Sequence, residues 1–133
     1  MSDFLLHPRL EADTAFAADW PLCTVLLMND ARYPWLILVP RRAVMMEIHQ
    51  LAPADRVLLM EEVTRASLIV RKMPGVEKIN VGALGNMVPQ LHVHVIGRHV
   101  SDPAWPGPVW GHSPAQPYGA REQAERIALV RSR

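Results

Sequence analysis

The sequence predicts a single domain of the α+β class, with antiparallel strands, one long packing helix and an irregular C-terminal tail. Short β-rich runs alternate with polar turns, one longer stretch places apolar residues at steps of three and four, and a Pro- and Trp-rich stretch follows residue 100. The 133 residues are about one domain long and contain no internal repeat or linker. We therefore expect one domain over 1–133, with its core at about 1–100 and the tail at about 101–133.

Composition and charge narrow the choice of partners. Half of the residues are hydrophobic, and the formal net charge is +1 with no basic run, so we expect neither a nucleic acid nor a membrane surface as partner. The N-terminus lacks the pattern of a signal peptide, and no apolar run is long enough to span a bilayer. The single cysteine, Cys23, suits a reducing compartment. These observations predict a cytoplasmic protein.

Two β-rich runs at 23–28 and 35–39 predict the first pair of strands. The polar segment 29–34 separates them, which favours an antiparallel pair. Both runs are almost continuously apolar, so we expect both faces of the sheet to be covered.

The next element is a helix that opens at about 51–55 and ends at Pro74-Gly75. Pro53 suits the first turn, where a missing N–H costs nothing, and Asp55 complements the helix dipole. The periodicity predicts a buried stripe of Leu59, Val63, Ala66, Val70 and Met73. It predicts a solvent-facing set of Arg56, Glu61, Glu62, Arg65 and Lys72.

Two more strands are predicted at 77–83 and 91–99, joined by the turn 84–89. Beyond residue 101 the prolines exclude central strands and helix interiors, and 120–130 is expected to form a closing helix. We expect Trp105 and Trp110 of the tail to pack on the domain's own surface, although they could also cover a site or a neighbouring subunit.

The stretch 90–96 carries the candidate chemistry. Its alternation places Gln90, His92 and His94 on one face of a strand and the intervening apolar residues on the other. Two imidazoles on one face, directly after a glycine-containing turn, indicate a functional site rather than a structural pair.

His-x-His on a strand is also a two-ligand metal unit, but a metal needs a third ligand and usually a fourth. No acidic residue lies between Glu77 and Asp102, and His99 points to the opposite face by parity. We therefore expect neither a metal nor a cofactor, and we favour nucleophilic chemistry. An imidazole whose Nδ1–H is held by a carbonyl presents an Nε2 lone pair that can attack phosphorus.

The stretch 90–96 resembles the His-φ-His-φ-His-φ-φ motif of the histidine-triad (HIT) superfamily, with Gln90 in the place of the first histidine. The resemblance to its fragile-histidine-triad and diadenosine tetraphosphate hydrolase-like branch extends to 27–29, 35–40, 51–53 and 80–98. It implies an α+β meander of about five antiparallel strands with a packed helix. It also implies a homodimer and a nucleotide hydrolase or transferase that forms a nucleotidyl-histidine intermediate without a metal.

The resemblance assigns roles to individual residues. His92 falls on the nucleophile, and His94 falls on the histidine that contacts phosphate or the leaving group. The implied phosphate-binding residues are Asn80, Gly85, Asn86 and Gln90. The implied ribose-binding residues are Asn29 and Asp30, although Asn29 and Asn86 could equally be ordinary turn residues.

Three positions depart from the family pattern. Gln90 replaces the first histidine, Met87 stands where a serine or threonine is common, and Pro34-Trp35 replaces Gly-His. We hypothesise that Trp35 and Gln90 form a substituted support for the histidines, in which the amide makes the hydrogen bond and the indole fills the space.

The leading expectation is a hydrolase of nucleoside phosphates, with dinucleoside polyphosphates such as diadenosine tetraphosphate as the favoured substrate class. Met87 and Gln90 motivate an alternative, a nucleotide-binding module with little or no turnover. A third possibility is a metal-dependent β-protein that uses His92 and His94 as ligands.

Overall fold

The computed structural model describes residues 4–132, which form one five-stranded antiparallel sheet flanked by helices. The strands are β1 (Thr14–Asp19), β2 (Cys23–Met28), β3 (Trp35–Pro40), β4 (Lys78–Gly82) and β5 (Val93–Arg98). The helices are α1 (Pro8–Asp13), α2 (Pro53–Arg71) and α3 (Ala120–Arg131), with a 3₁₀ turn at Ile48–Gln50. The predicted α+β class, the long helix and the closing helix are confirmed. No helix within 4–132 is long and apolar enough to cross a membrane.

The strand order is β1-β2-β3-β5-β4, which differs from a simple meander in one respect. The chain leaves β3, runs through α2 and forms β4 at the sheet edge, and β5 then returns between β3 and β4. On one side Ile37 of β3 pairs with His94, and on the other side Gly82 of β4 pairs with His94. The histidine strand is therefore held by backbone hydrogen bonds on both edges.

Helix α2 covers one face of the sheet, as the sequence predicts. The five residues of the predicted stripe, Leu59, Val63, Ala66, Val70 and Met73, are all buried in one cluster with side chains from four of the strands. The alternate residues of β5, Val93 and Val95, belong to the same cluster, so the side of the histidine strand opposite the two imidazoles is anchored in this core.

Glu62 was predicted to face solvent, and that prediction is wrong. Its side chain is 3% exposed, and its two carboxylate oxygens accept hydrogen bonds from Leu22 N at 2.8 Å and Cys23 N at 2.9 Å. The position lies three residues after Leu59 and four before Ala66, which places it within the buried stripe. There the carboxylate satisfies two backbone donors at the β1–β2 turn, which would otherwise be buried without partners.

The opposite face of the sheet is covered by α1, the turn before β5 and the tail. This second cluster includes Leu26, Trp35, Ile37, Val39 and Ile96 of the sheet, together with Leu10, Val88, Ala104 and Val109. The prediction that both faces are covered is thus confirmed. The covering elements could not be assigned from the sequence, because the tail has no period.

A buried ion pair attaches the tail to β5. Arg98 Nε and Nη2 donate to Asp102 at 2.8 and 3.0 Å, and Nη2 also donates to the Gly107 carbonyl at 2.8 Å. The two side chains are 2% and 0% exposed. Such a pair is destabilising if one partner is lost, because the other charge is then buried alone. The tail is consequently part of the folded unit.

Candidate functional site

His92 and His94 lie side by side on the sheet face opposite α2. Their ring centroids are 4.9 Å apart, and both side chains are more than nine-tenths buried. His94 belongs to β5, and His92 directly precedes this strand. Because β5 is paired on both edges, the sheet fixes the backbone at His94, and His92 is two residues before it.

The hydrogen bond of His92 defines its tautomer. Its Nδ1 lies 2.7 Å from the backbone carbonyl oxygen of Gln90. A carbonyl can only accept, so Nδ1 carries the proton and the neutral ring presents a lone pair at Nε2. This is the orientation that a nucleophilic imidazole requires.

His94 has the opposite arrangement. The indole Nε1–H of Trp35 donates to His94 Nδ1 at 3.0 Å, and because an indole can only donate, Nδ1 is unprotonated. The proton of the neutral ring is therefore on Nε2. Burial, followed by the neighbouring His92, lowers the pKa of His94 to about 3. With both rings neutral, the site thus combines one Nε2 that can attack with one Nε2–H that can donate.

The support for these histidines differs from our hypothesis about Trp35 and Gln90. The indole both fills the space and makes the hydrogen bond. The carboxamide of Gln90 instead binds the N-terminal segment: Oε1 accepts from His7 N, and Nε2 donates to Leu5 O, both at 2.8 Å. Because β5 begins at Val93, Gln90 precedes the strand, and the predicted alternation does not hold its side chain on the histidine face. Only its backbone carbonyl supports the site.

A cavity of about 600 Å³ adjoins the two imidazoles. Its apolar walls include Leu10, Met28, Ile37, Val109 and Trp110, and its charged walls include Arg9, Asp13, Asp30 and Arg32. The Trp110 ring centroid lies 5.3 Å from that of His94. A Cβ at Gly82 would lie 3.0 Å from Trp110 Cη2, so glycine in β4 leaves the room that this indole occupies.

The predicted phosphate turn lies at the cavity. Gly85 and Asn86 both line it, and Met87 is on its wall with a largely exposed side chain. Gly85 has a φ of +71°, a conformation that favours glycine over residues with a Cβ. The turn therefore lines the same cavity as His92.

Two predicted site residues make contacts elsewhere. Asn80 Oδ1 accepts from Arg98 Nη1 at 2.8 Å, and Asn29 Oδ1 accepts from Tyr118 N at 2.9 Å. Neither is among the residues that line the cavity. Both amides thus fasten β4 and the β2–β3 loop to neighbouring parts of the fold.

Asp30 does line the cavity, and it does so as half of an ion pair. Its carboxylate accepts from Arg32 Nε at 3.0 Å and from Nη2 at 2.9 Å. Sequence reasoning missed Arg32, although it is a cation two residues beyond Asp30 in the predicted ribose loop. It predicted that Trp110 packs on the domain's own surface and gave covering a site only as an alternative, because the irregular tail has no pattern that shows which of its residues contacts the sheet.

Within residues 4–132, no group of three or more His, Cys, Asp or Glu side chains is arranged to hold a metal ion. The cavity's Asp30 is paired with Arg32.

Comparison with known proteins identifies close relatives. The family model described as the HIT domain matches residues 9–101. A histidine triad protein from Sinorhizobium meliloti 1021 is 47% identical with a TM-score of 0.95, over 98% of this chain and 96% of that one. A histidine triad protein from Marinobacter aquaeolei VT8 is 48% identical with a TM-score of 0.93, over 97% of this chain and 94% of that one. A histidine triad protein from Bradyrhizobium japonicum is 44% identical with a TM-score of 0.94, over 97% of this chain and 96% of that one. No significant match was found among curated protein sequences.

Proposed function

The chain belongs to the HIT family, and on this premise we propose that it is a hydrolase of dinucleoside polyphosphates or related nucleoside phosphates. HIT proteins are typically nucleotide hydrolases or transferases. The observation that carries the proposal is the opposite tautomers of the paired histidines, His92 with a free Nε2 and His94 with a protonated Nε2.

In the proposed reaction, the Nε2 lone pair of His92 attacks the α-phosphorus of the substrate. The new P–N bond forms as the P–O bond to the leaving group breaks, and that electron pair stays on the leaving oxygen. The Nε2–H of His94 donates to an oxygen of the reacting phosphate or leaving group, and the turn at Gly85 and Asn86 offers backbone amides to the negative charge. Water then attacks phosphorus and loses one proton to solvent, the P–N electrons return to Nε2, and a nucleoside monophosphate is released.

The cavity walls support a nucleoside beside this centre. Apolar side chains such as Met28, Ile37 and Trp110 suit the faces of a base, and the paired Asp30 and Arg32 offer polar groups to the sugar or a phosphate. Asn29, Asn80 and the Gln90 side chain then act indirectly, by holding the walls in place.

The test is to locate the covalent intermediate. After mixing with diadenosine tetraphosphate and quenching without acid, which would cleave the P–N bond, mass spectrometry should find a nucleotidyl adduct on the peptide containing His92. His92→Asn should abolish the adduct and lower turnover by several orders of magnitude. His94→Asn should retain some adduct and lose roughly two to four orders of magnitude.

An adduct on another histidine, or full turnover in His92→Asn, would overturn the assignment. Nucleotide binding without any release of mononucleotide would identify a binding module instead. Loss of activity with chelator that added metal restores would favour metal chemistry.

We also propose that the chain forms a homodimer. Residues Val57, Met60 and Leu68 on the outer side of α2 are each more than half exposed. The edge strand β4 adds Val81 on the same face of the sheet, since it pairs with Val95 of the α2-facing core. An apolar helix face beside an unpaired strand edge suits a second copy of the same surface.

A further inference from the structure

A second cavity, of about 620 Å³, meets the first at the nucleophile. The shared walls are Leu84, Gly85 and His92, which line both cavities. The remaining walls are the segment 46–49 around the 3₁₀ turn, Arg56 near the start of α2, and Ala83 and Leu91. His92 is therefore accessible from two separate spaces, each within the usual size range for small-molecule sites.

Both cavities carry charged side chains of both signs, and they differ in how these charges are paired. In the first cavity Arg32 is paired with Asp30, so these two charges offset each other. In the second, Glu47 and Arg56 both line the wall, and among residues 4–132 neither takes part in an ion pair. The Glu47 carboxylate accepts the backbone N–H of Gln50, and Arg56 donates through Nη1 to the Leu51 carbonyl at 2.6 Å. The carbonyl fixes the position of the guanidinium without neutralising it. An arginine that is free of an ion pair on a cavity wall can bind an anionic group, especially phosphate.

We propose that the second cavity is the subsite for the leaving group, and that it binds the nucleoside polyphosphate released when His92 attacks. This inference rests on the proposed function. A dinucleoside polyphosphate must extend in two directions from its reacting α-phosphorus, and two cavities meet at the nucleophile. The apolar first cavity suits the nucleoside that stays on His92. Arg56 then stabilises the oxygen charge that develops as the P–O bond breaks.

The test compares two substrates that share the transferred adenylyl group but differ in leaving group. Diadenosine tetraphosphate releases a large polyanion, whereas adenosine phosphoramidate releases ammonia. Arg56→Ala should lower kcat/KM for diadenosine tetraphosphate about tenfold or more, and change it by no more than about twofold for the phosphoramidate. Arg56→Lys, which keeps the charge, should stay within about threefold of the unmodified protein for both substrates.

Arg121→Ala is the matched control, because it removes one arginine from an exposed position on α3, outside both cavities. It should leave both substrates unaffected. Thermal unfolding of each variant shows whether the loss of the Leu51 contact alters folding. Equal losses for the two substrates in Arg56→Ala, or equal losses in the alanine and lysine variants, would overturn the leaving-group subsite.

A binding measurement separates failure of this inference from failure of the proposed function. Calorimetry with a methylene-bridged diadenosine tetraphosphate and with adenosine monophosphate should give tighter binding of the longer ligand, and Arg56→Ala should remove that difference. If neither substrate is turned over but this pattern holds, the hydrolase proposal fails and the subsite stands. If substrates are turned over but Arg56→Ala binds the two ligands like the unmodified protein, the subsite fails alone.

Discussion

Trp35 Nε1 donates to His94 Nδ1 across 3.0 Å between two side chains that are both more than nine-tenths buried. An indole has one N–H and no lone pair to offer, so this bond admits only one neutral tautomer of His94. Protonation of Nδ1 would place two donors face to face, which adds to burial in keeping this ring uncharged. Trp35 is thus a positioning residue that fixes the direction in which His94 donates.

Replacing Trp35 by phenylalanine should weaken catalysis through His94. The donor is lost while most of the ring volume remains, so kcat should fall about tenfold or more with little change in KM. Nitrogen NMR of the imidazoles should show a single Nε2–H tautomer of His94 in the unmodified protein and a mixture of tautomers in Trp35→Phe. Trp105→Phe, outside the cavity, should alter neither quantity. An unchanged tautomer signal in Trp35→Phe would contradict this role.

The low pKa of His94, about 3, predicts a loss of stability in acid. Between about pH 6.5 and pH 3 the unfolded chain binds a proton at this position that the folded chain does not, so the free energy of unfolding decreases as the pH falls. The slope is at most about 1.4 kcal/mol per pH unit. Urea unfolding from pH 7.5 to 4 should show a smaller acid loss in His94→Gln than in the unmodified protein. His112→Gln, at an exposed position, should follow the unmodified protein.

Glu62 should matter for stability far more than its neighbour. Glu62→Gln replaces one accepting oxygen with a donor that faces a backbone N–H of the β1–β2 turn, so it should cost about 1–3 kcal/mol of unfolding free energy. Glu61→Gln is the control, because Glu61 is exposed and adjacent in sequence. Similar midpoints for the two variants in denaturant unfolding would show that the buried carboxylate is dispensable.

The proposed homodimer should depend on the outer side of α2. Light scattering at micromolar concentration should give twice the mass of one chain for the unmodified protein. Met60→Lys combined with Leu68→Lys should give the mass of one chain, because it places two like charges in each half of the interface. Leu129→Lys on α3 changes an exposed leucine elsewhere and should remain dimeric. A single-chain mass for the unmodified protein would refute the dimer.

Elements with a strong local pattern could be predicted from the sequence. The β2, β3 and β5 runs and the stripe of α2 are dense in apolar residues at the period of their structure. No such pattern marks β1, whose sequence Thr-Ala-Phe-Ala-Ala-Asp is poor in strand-favouring residues, and this strand exists through its pairing with β2. In such segments the secondary structure is determined by tertiary contacts and not by the local sequence.

Some residues of the site could likewise be predicted from the local sequence, and others could not. His92 and His94 are recognisable because they lie two residues apart in one short β-rich run. Arg32 and Trp110 reach the cavity from a loop and a tail that are distant in sequence, so their roles depend on long-range packing. The Gln90 side chain shows the converse problem, since a residue inside the motif makes its contacts with the N-terminal segment.

The attachment of the tail has a consequence for how proteins of this kind can diversify. His94 lies on a strand held at both edges, and His92 directly precedes that strand. By contrast, Val109, Trp110 and Ser113 of the cavity wall belong to a segment fastened by Arg98 and Asp102 before it and by the Tyr118 N–H after it. Changes between these two fastenings alter the shape offered to a ligand without moving the strand. Ligand preference and reaction chemistry thus depend on different segments of the chain. Exchanging 103–117 between relatives should therefore change which ligand a protein prefers without changing its reaction.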